Sequence, residues 1–410
     1  MWHRRFICLW AGQTLANLGD VFYIVAFISV MYAATGSVMY TAFIPVVIVA
    51  SQSVSSLLAP LVFQRLALTG MLVLSQGLKT ILLALASLAV SSGVGEQGEW
   101  IWLLFGLGST IAFMDGWANP ARNAMVPQLV RREDLMRANG LLATSDQTVH
   151  FAGWAAGGLL VSWLGAGVVL WGTVGAYVVA TIAMTGIAPA SEKLREEQAA
   201  GATTNWLTGW KAIRDVPVLR LLVAMDVVIG LSGGVWIAAI MLPFVLDVLG
   251  QGEEWWGYIN AGYMLGAIAG GTLLLMYAER MRRHLFRWII CGTIGVGFFT
   301  FCFGSSTNAL VALLFSFALG PFLEMVHVSK QTLLQQETEE SVLPYVLSAK
   351  GTIDLLVFGT SALVMGAIAE WQGVRAVYYV SAGLLLIAFL LALRLQKKQT
   401  DHTTSGVSVN

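Results

Sequence analysis

Long, uninterrupted apolar runs dominate the chain, and short polar segments separate them. A helix needs about 20 apolar residues to cross the roughly 30 Å hydrocarbon core of a bilayer, and twelve runs reach or approach that length. The runs are continuous and do not alternate with polar residues, which predicts helices rather than the strands of a transmembrane barrel. They are Trp10–Tyr32, Thr41–Phe63, Met71–Val90, Trp100–Ala118, Leu141–Leu164, Val168–Ile187, Leu219–Leu246, Trp256–Tyr277, Trp288–Phe303, Ala309–Val328, Val346–Ala369 and Val374–Leu395.

The longest polar segment divides these runs into two sets of six. We therefore expect a six-helix bundle over residues 1–187, a linker over 188–216, a second six-helix bundle over 217–396 and a polar tail over 397–410. In the linker, four apolar side chains share one helical face, which predicts a short helix on the inner membrane surface; the alternative is a solvated linker. These side chains are Trp206, Leu207, Trp210 and Ile213.

The two sets of spans also repeat weakly. A shift of 208 residues aligns Thr144 with Thr352 and Asp146 with Asp354, on the fifth and eleventh spans. A shift of 215 residues pairs Gly77 with Gly292. Because matching spans run in the same direction, the pattern predicts parallel repeats related by a pseudo-two-fold axis, as in transporters that rock two bundles about a midplane site.

Composition narrows the function classes. Charged residues make up 11% of the 410 positions, against about 25% in soluble domains, and 57% are apolar. The 23 basic residues equal the 23 acidic ones, which argues against a nucleic-acid binder, because such proteins carry a strong basic excess. Three cysteines in or beside apolar runs indicate neither a disulfide framework nor a metal site. No nucleotide-binding motif occurs, so we expect no cofactor and no ATP hydrolysis.

The charges also predict an orientation. Nineteen of the 23 lysine and arginine residues, Lys330 among them, fall in segments on one side of the twelve spans. By the positive-inside rule, that side is cytoplasmic and holds both termini. We therefore expect a multi-pass protein of the inner (plasma) membrane, surrounded by lipid and acting as a monomer.

Several stretches resemble the major facilitator superfamily, and in particular its bacterial macrolide-efflux and enterobactin-exporter-like branch. They are Leu9-Trp10-Ala11-Gly12-Gln13 with Asn17-Leu18-Gly19-Asp20, Asn119-Pro120-Ala121-Arg122 with Val126-Pro127, Leu135 to Gly140, and Gly157-Gly158 before Gly165. The resemblance implies an all-α integral membrane protein with twelve transmembrane helices in two bundles, and export of drugs or siderophores, hence a role in antibiotic resistance.

The loop signature of that family is degraded in the first half. The first copy reads Gln64-Arg65-Leu66-Ala67 and lacks the carboxylate, whereas the second reads Glu279-Arg280-Met281-Arg282-Arg283. The departure leaves open whether the usual inner gate operates in the first bundle.

Ionisable side chains inside spans are costly and therefore mark functional candidates. Asp20 lies near the middle of the first span, and Asn17 and Tyr23 are three residues away on the same face. Glu324 and His327 are spaced i, i+3 on the tenth span. We interpret these five residues as candidates for proton coupling or substrate contact. The alternative for Asp20 is a structural carboxylate, and the alternative for Glu324 and His327 is a structural pair.

A second group suits gating or charge pairing. Asp146 with His150 and Lys350 with Asp354 are spaced i, i+4 near the inner ends of their spans, which favours pairing within each helix. Lys79 either snorkels or pairs with Asp20 or Asp115, and the sequence leaves these options open. The early position of Asp226 in the seventh span predicts a structural role. The complete gating group is Arg65, Lys79, Asp115, Arg122, Asp146, His150, Glu279, Arg280, Lys350 and Asp354.

These features predict a secondary active transporter, most simply a proton-coupled exporter of a small amphiphilic molecule. A lipid or lysolipid flippase and an importer remain open as alternatives. A membrane-embedded enzyme is disfavoured, because a nucleophile with a matching base at one depth is missing from the pattern. Small residues spaced four apart, at 262, 266 and 270, predict close helix packing.

Overall fold

The computed structural model describes residues 4–63, 65–92, 100–187 and 207–405. Within these ranges, the side chains at 38, 39, 42, 100, 238 and 398–405 are not part of the description. Gln64, Trp206, most of the expected linker and the last five residues of the tail lie outside the described residues.

The described chain is helical throughout, and turns connect the helices. The first six helices are α1 (Arg4–Thr35), α2 (Val38–Phe63), α3 (Leu68–Ser91), α4 (Trp100–Leu129), α5 (Leu135–Leu164) and α6 (Ala166–Thr185). After the linker come α7 (Thr208–Asp215), α8 (Pro217–Gly233), α9 (Ala238–Pro243), α10 (Glu254–Met281), α11 (Leu285–Ser305), α12 (Ala309–Glu337), α13 (Leu343–Gln372) and α14 (Val374–Ser405).

Ten helical segments of the described chain are long and apolar enough to cross a membrane. One of them, Glu254–Ser305, contains two helices, α10 and α11. Helix α5 is 30 residues long, but it is not among the ten, which fits the polar residues in its first half. Each of the twelve predicted spans nevertheless coincides with a helix or, for the seventh, with a chain of short helices.

The seventh predicted span, Leu219–Leu246, is not one continuous helix. Helix α8 ends at Gly233, a 3₁₀ turn covers Gly234–Trp236, and α9 leads into a π-helical turn at Phe244–Val248. Two consecutive glycines lower helix propensity at the break, and Ser361 anchors it by donating to Leu231 O and accepting from Gly234 N.

Several helices extend beyond the predicted spans, because polar side chains there find partners inside the protein. Helix α5 begins six residues before Leu141, and α12 continues nine residues past Val328. Lys330, which the sequence places outside the membrane, consequently lies within α12 and is 6% exposed. One of the nineteen basic residues that we counted on the cytoplasmic side is therefore buried inside the protein.

The short helix α7 carries part of the predicted amphipathic face of the linker. Ile213 is buried and Trp210 is half-buried, whereas Arg214 and Asp215 are exposed. The Arg214 guanidinium hydrogen-bonds the Asp215 carboxylate at 2.8 Å and lowers the pKa of that carboxyl. At its other end, Gly209 lies so close to Tyr345 that an added Cβ would overlap the Tyr345 carbonyl.

The chain divides into two compact units. Unit 1 comprises Met1–Arg131, Thr148–Trp210 and Glu340–Thr352, and unit 2 comprises Arg132–Gln147, Lys211–Glu339 and Ile353–Asn410. The first half of α5 therefore belongs to unit 2, and the first third of α13 belongs to unit 1.

In unit 1, α1 packs along α6, α4 packs along α2 and α3, and α3 packs along α6. Glycines permit the closest approaches. An added Cβ at Gly116 would overlap the backbone of Gln52 on α2, and one at Gly153 would press against Val21 on α1. A core of apolar side chains that includes Phe27 and Tyr177 fills the space between these helices.

In unit 2, α12 packs along both α10 and α11, and α14 packs along α8 and α11. The predicted small-residue face of α10 lies in the first of these contacts. Gly266 and Gly270 approach the backbone of Phe317 and Pro321, where an added Cβ would not fit. This prediction from the sequence is confirmed.

Candidate functional site

Three charged side chains meet in the interior of unit 1. The Lys79 ammonium on α3 donates to Asp20 Oδ1 on α1 at 2.7 Å and to Asp115 Oδ1 on α4 at 2.6 Å. The lysine side chain is 1% exposed, the Asp20 side chain 21% and the Asp115 side chain 12%. The sequence left open whether Lys79 snorkels or pairs with Asp20 or Asp115, and the structure pairs it with both carboxylates.

Tyr177 on α6 completes this cluster. Its hydroxyl donates a short hydrogen bond to Asp20 Oδ1, and the centroid of its ring lies 5.0 Å from the Lys79 ammonium. Because the negative face of an aromatic ring attracts cations, the ring adds to the stabilisation of the lysine. Asp20 Oδ1 therefore accepts from both an ammonium and a phenol.

Glycine in α1 makes room for that tyrosine. An added Cβ at Gly19 would lie 2.5 Å from a carbon of the Tyr177 ring. The residue preceding Asp20 thus allows α6 to approach until the phenol reaches the carboxylate. We call Asp20, Lys79, Asp115 and Tyr177 the lysine cluster.

Two other sequence candidates lie on the same helix as Asp20. Tyr23 is 1% exposed and packs edge-on against Phe27, with 5.5 Å between the ring centroids. It interacts electrostatically with Asp20 and Asp115. Asn17 accepts a hydrogen bond of 2.8 Å from Gln13. Tyr23 is therefore part of the wall of the lysine cluster, while Asn17 interacts along its own helix.

The cluster carries an unbalanced charge when all three ionisable groups are charged. Two carboxylates and one ammonium sum to one negative charge. An uncompensated charge in a low-dielectric interior costs several kcal/mol. Because one lysine contacts both carboxyls, it remains paired with the other if either one binds a proton.

Unit 2 holds a carboxylate in a different setting. Glu324 on α12 is 4% exposed, and its Oε1 accepts a 2.8 Å hydrogen bond from the Gln147 amide on α5. Its Oε2 is buried and has no hydrogen-bond partner among the described residues. Tyr263 on α10 lies beside this pair. We call Glu324, Gln147 and Tyr263 the glutamate site.

The charged neighbours of Glu324 are few. His327, one turn further along α12, and Asp146 on α5 act on it electrostatically. His327 is exposed and Asp146 is partly buried. No lysine or arginine lies within ion-pair distance of Glu324 in the described part of the chain, so the carboxyl is balanced by neutral groups and an exposed imidazole alone.

The buried lysine of α12 serves a different carboxylate. Lys330 Nζ lies 2.5 Å from Asp226 Oδ1 on α8, and the two side chains are 7% and 18% exposed. Lys330 is six residues from Glu324, or about 9 Å along the helix axis at 1.5 Å per residue. The pair agrees with a structural role for Asp226.

Aromatic side chains flank the glutamate site. Tyr263, Trp236, Phe299 and Phe322 belong to one apolar group around Val296, Leu319 and Leu385. The Phe299 and Phe322 rings lie 5.5 Å apart. The carboxyl of Glu324 is thus next to a packed group of aromatic and aliphatic side chains.

The remaining gating candidates are distributed over both units. Arg65, His150, Glu279 and Arg280 are exposed, and Glu279 forms an ion pair of 2.7 Å with Arg282. Arg122 donates to Asn123 at 3.3 Å. Lys350 and Asp354 are partly buried on α13.

Two polar contributors to these sites, Tyr177 and Gln147, were not identified from the sequence. Tyr177 and Gln147 are neutral, whereas the candidates were chosen chiefly as ionisable side chains inside the apolar runs, where a charge is costly. Tyr177 had one usable signal, because a buried phenol needs a hydrogen-bond partner. The burial of Lys330 and its pairing with Asp226 were not predicted, because Lys330 lies just beyond the apolar run.

Known proteins resemble this chain along most of its length. Residues 9–349 match the family described as the Major Facilitator Superfamily. Two relatives from Bacillus subtilis (strain 168), the MFS-type transporters YfmI and YjbB, are 30% and 28% identical over 398 residues. The alignments cover 95% of this chain and 97% and 95% of the relatives.

Solved structures share the fold at low sequence identity. The crystal structure of the human organic anion transporter MFSD10 superposes with a TM-score of 0.72 at 13% identity, covering 95% of this chain and 99% of that one. A bacterial homologue of the iron transporter ferroportin, in an outward-facing state, gives a TM-score of 0.70 at 16% identity, with coverages of 96% and 100%. The family match over most of the chain, the full-length relatives and the shared fold lead to one conclusion: this chain belongs to the Major Facilitator Superfamily and is a multi-pass membrane transporter of the secondary type, not an enzyme.

Proposed function

We propose that the protein is a proton-coupled exporter of a small amphiphilic molecule such as a drug or a siderophore. It works as an antiporter by alternating access, and its two termini are cytoplasmic. The lysine cluster carries this proposal. Two carboxyls share one fully buried lysine, so the cluster has a place for one exchangeable proton, and the 21% and 12% exposed carboxyl side chains are within reach of water.

Energetics support a role for this proton in driving transport. Each elementary charge that crosses a membrane potential of 100 mV releases about 2.3 kcal/mol. Binding the proton at Asp20 or Asp115 changes the number of acceptors around Lys79, which alters the hydrogen bonds that join α1, α3 and α4. Protonation is thereby linked to the packing of the helices, as a coupled conformational cycle requires.

A cavity in unit 1 supports an amphiphilic substrate. It has a volume of about 600 Å³ and lies between α2 and α4, where Tyr40, Phe43, Trp102 and Phe105 contribute to its walls. Drug-sized ligands occupy pockets of roughly 300–1,000 Å³ with largely apolar linings. The phenol of Tyr40 and the indole of Trp102 are the polar tips of an otherwise apolar wall.

The proposal is tested with purified protein in proteoliposomes. A thermal-shift screen of macrolides, catecholate siderophores and cationic dyes at two pH values identifies a ligand, and entrapped pyranine then reports the protons that its transport moves. We expect Asp20→Asn to abolish ligand-induced proton movement and uphill transport. Asp247→Asn, at an exposed position, is the matched control and should behave as the unmodified protein. Unchanged proton-driven accumulation in Asp20→Asn would overturn the assignment.

The same cavity favours a second candidate, a lysolipid flippase, because an acyl chain fits an apolar groove. An added Cβ at Gly106 meets no neighbouring atom, so Gly106→Leu fills the cavity without disturbing the helix contact. If the protein moves lysolipids, this variant should slow the protection of a fluorescent lysolipid from an external quencher. Equal rates in the variant and the unmodified protein would remove this candidate.

A further inference from the structure

The turn that joins α10 to α11 carries a dense group of positive charges. Residues 280–287 include four arginines and one histidine and no acid. Three of these arginines, Arg280, Arg283 and Arg287, are exposed and form no ion pair in the part of the chain that the structure describes. We call these three the turn arginines. The matching turn between α2 and α3 in unit 1 has a single basic residue, Arg65.

The nearest acids act on the fourth arginine of the turn. Arg282 forms an ion pair of 2.7 Å with Glu279 and interacts electrostatically with Glu133 and Asp134. Pairing one arginine of four with an acid leaves three positive charges at the ends of two membrane-spanning helices. Like charges held close together at the edge of a low-dielectric region repel each other, so an anion among them is favourable.

On α11, one helix face joins a turn arginine to exposed apolar side chains. Arg287, Cys291, Ile294 and Phe298 are all exposed, and their spacing places them on one face. Ile294 is 49% exposed and Phe298 is 58% exposed. In a helix that spans a membrane, such a face contacts lipid tails. At 1.5 Å per residue, Arg287 lies about 16 Å from Phe298 along the axis, roughly half the thickness of the hydrocarbon core.

Helix α10 repeats this arrangement. Leu273, Met276 and Tyr277 are 49%, 70% and 48% exposed, and Arg280 follows them on the same face at the end of the helix. Both helices pack along α12, but within the described chain they do not pack along each other. The turn arginines therefore lie where two lipid-facing surfaces come together at one end of the helices.

We propose that the turn arginines bind the phosphate of an anionic phospholipid, whose acyl chains lie along the exposed faces of α10 and α11. Arginine forms paired hydrogen bonds with phosphate oxygens, which favours a fixed headgroup over a mobile counterion. Clusters of basic residues next to a membrane-spanning helix are typical of anionic-lipid recognition. A free phosphate ion would satisfy the arginines but would leave the two apolar faces without a role in binding.

This site goes beyond the proposed function, because it depends neither on a transported substrate nor on a proton. The lipid belongs to the leaflet on the side of the turn, which is the cytoplasmic leaflet in the orientation proposed above. Unit 1 has one cation at the matching turn, so we expect the lipid to bind to unit 2.

Native mass spectrometry of the purified full-length protein tests the inference. The probes are phosphatidylglycerol and phosphatidylcholine with identical acyl chains. We expect phosphatidylglycerol to bind at least about tenfold more tightly, since each basic residue near an anionic headgroup adds to the attraction. The preference should shrink as salt screens the charges. Glycerol 3-phosphate has the anionic group without acyl chains and should not displace the lipid at equal concentration.

A charge-removing variant connects the preference to the turn. The triple variant Arg280→Gln, Arg283→Gln, Arg287→Gln should bind the two lipids equally. Lysine at the same three positions keeps the charge and should retain most of the preference, which separates loss of charge from loss of the fold.

A matched control removes the same number of charges elsewhere. The triple variant Arg4→Gln, Arg394→Gln, Lys397→Gln changes exposed positions on α1 and α14. It should keep the preference of the unmodified protein for phosphatidylglycerol, because its three positions do not form one cluster in the sequence.

A fluorescent label at Cys291 locates the lipid. This thiol is exposed, lies one turn from Arg287, and becomes the single thiol when Cys8 and Cys302 are replaced by alanine. In vesicles of phosphatidylcholine, brominated phosphatidylglycerol should quench the label at a lower mole fraction than brominated phosphatidylcholine does. The difference should vanish when the turn arginines are replaced by glutamine.

Four results would overturn the inference: equal affinity for the two lipids, an unchanged preference in the glutamine variant of the turn, an equal loss in the control variant, or equal quenching at Cys291 by both brominated lipids. Displacement by glycerol 3-phosphate would reveal an anion site that does not need a lipid, and would also contradict it. Proton-driven transport that depends on Asp20 would stand in every one of these cases.

Discussion

The two units contain similar charged groups in different arrangements. Unit 1 joins Asp20 and Asp115 to one lysine, whereas unit 2 joins Lys330 to Asp226 and leaves Glu324 with an amide. The correspondence extends to position. Asp115 lies fifteen residues after the start of α4, and Glu324 lies fifteen residues after the start of α12.

The location of the lysine accounts for the difference. In unit 1 it is on α3 and its ammonium reaches both carboxylates, whereas in unit 2 it is on α12 itself, six residues beyond Glu324. Each arrangement has one carboxyl more than it has lysines. Unit 1 divides this deficit of positive charge between two carboxyls, and unit 2 leaves it on Glu324 alone.

Removing Lys79 should have the largest effect, because it separates two buried acids from their shared cation. Removing one partner of a buried ion pair lowers the free energy of unfolding by about 3–5 kcal/mol. We expect Lys79→Met to lower folded yield and melting temperature sharply in size-exclusion and tryptophan-fluorescence assays. A double variant, Lys79→Met with Asp115→Asn, should recover part of the loss since only one acid then lacks a partner. A double variant as unstable as Lys79→Met would contradict the shared-lysine arrangement.

Removing Lys330 should cost less, about 2 kcal/mol, because it leaves a single acid that is 18% exposed and partly solvated. The melting temperature of Lys330→Met should therefore lie between those of Lys79→Met and the unmodified protein. Adding Asp226→Asn should restore most of it. A double variant as unstable as Lys330→Met would contradict the view that the unpaired Asp226 carboxylate causes the loss.

The fold was largely predictable from the sequence because hydrophobic run length is a property of the chain itself. All twelve predicted runs are helical, and the fold class is confirmed by the family match and the shared fold. The errors lie where tertiary contacts stabilise polar residues in helices. Lys330 has its partner on α8, so α12 continues past the apolar run. The break after Gly233 depends on Ser361, which is 128 residues distant in sequence.

The sites were predictable in part for a similar reason. Charges inside apolar runs are visible, so Asp20, Lys79, Asp115 and Glu324 were all candidates. Which lysine pairs with which acid depends on how the helices rotate and cross, and a single sequence does not record that. Their roles in coupling stay predictions. The neutral groups that complete each site, Tyr177 and Gln147, become evident only when the helices are assembled.

Gly19 tests whether the close approach of α1 and α6 maintains the lysine cluster. Gly19→Ala places a methyl group against the Tyr177 ring, and overpacking of this kind costs about 1–3 kcal/mol. We expect a lower melting temperature together with reduced proton-coupled transport. Gly77→Ala on α3 is the matched control, since an added Cβ there meets no neighbouring atom. Equal behaviour of the two variants would show that the contact is not needed.

The smallest effect on stability should come from the Tyr177 hydroxyl, and it distinguishes the two units most directly. Tyr177→Phe removes one donor to Asp20, while Tyr378→Phe removes a hydrogen bond of 3.2 Å from an equally buried phenol to Val235 O in unit 2. Hydrogen bonds between membrane helices contribute about 0.6 kcal/mol on average and at most about 1.7, so both variants should lose similarly little stability. Transport should fall only in Tyr177→Phe, because only that hydroxyl contacts the carboxyl that we assign to the proton. A comparable loss of transport in Tyr378→Phe would mean that packing, and not the hydrogen bond to Asp20, is responsible.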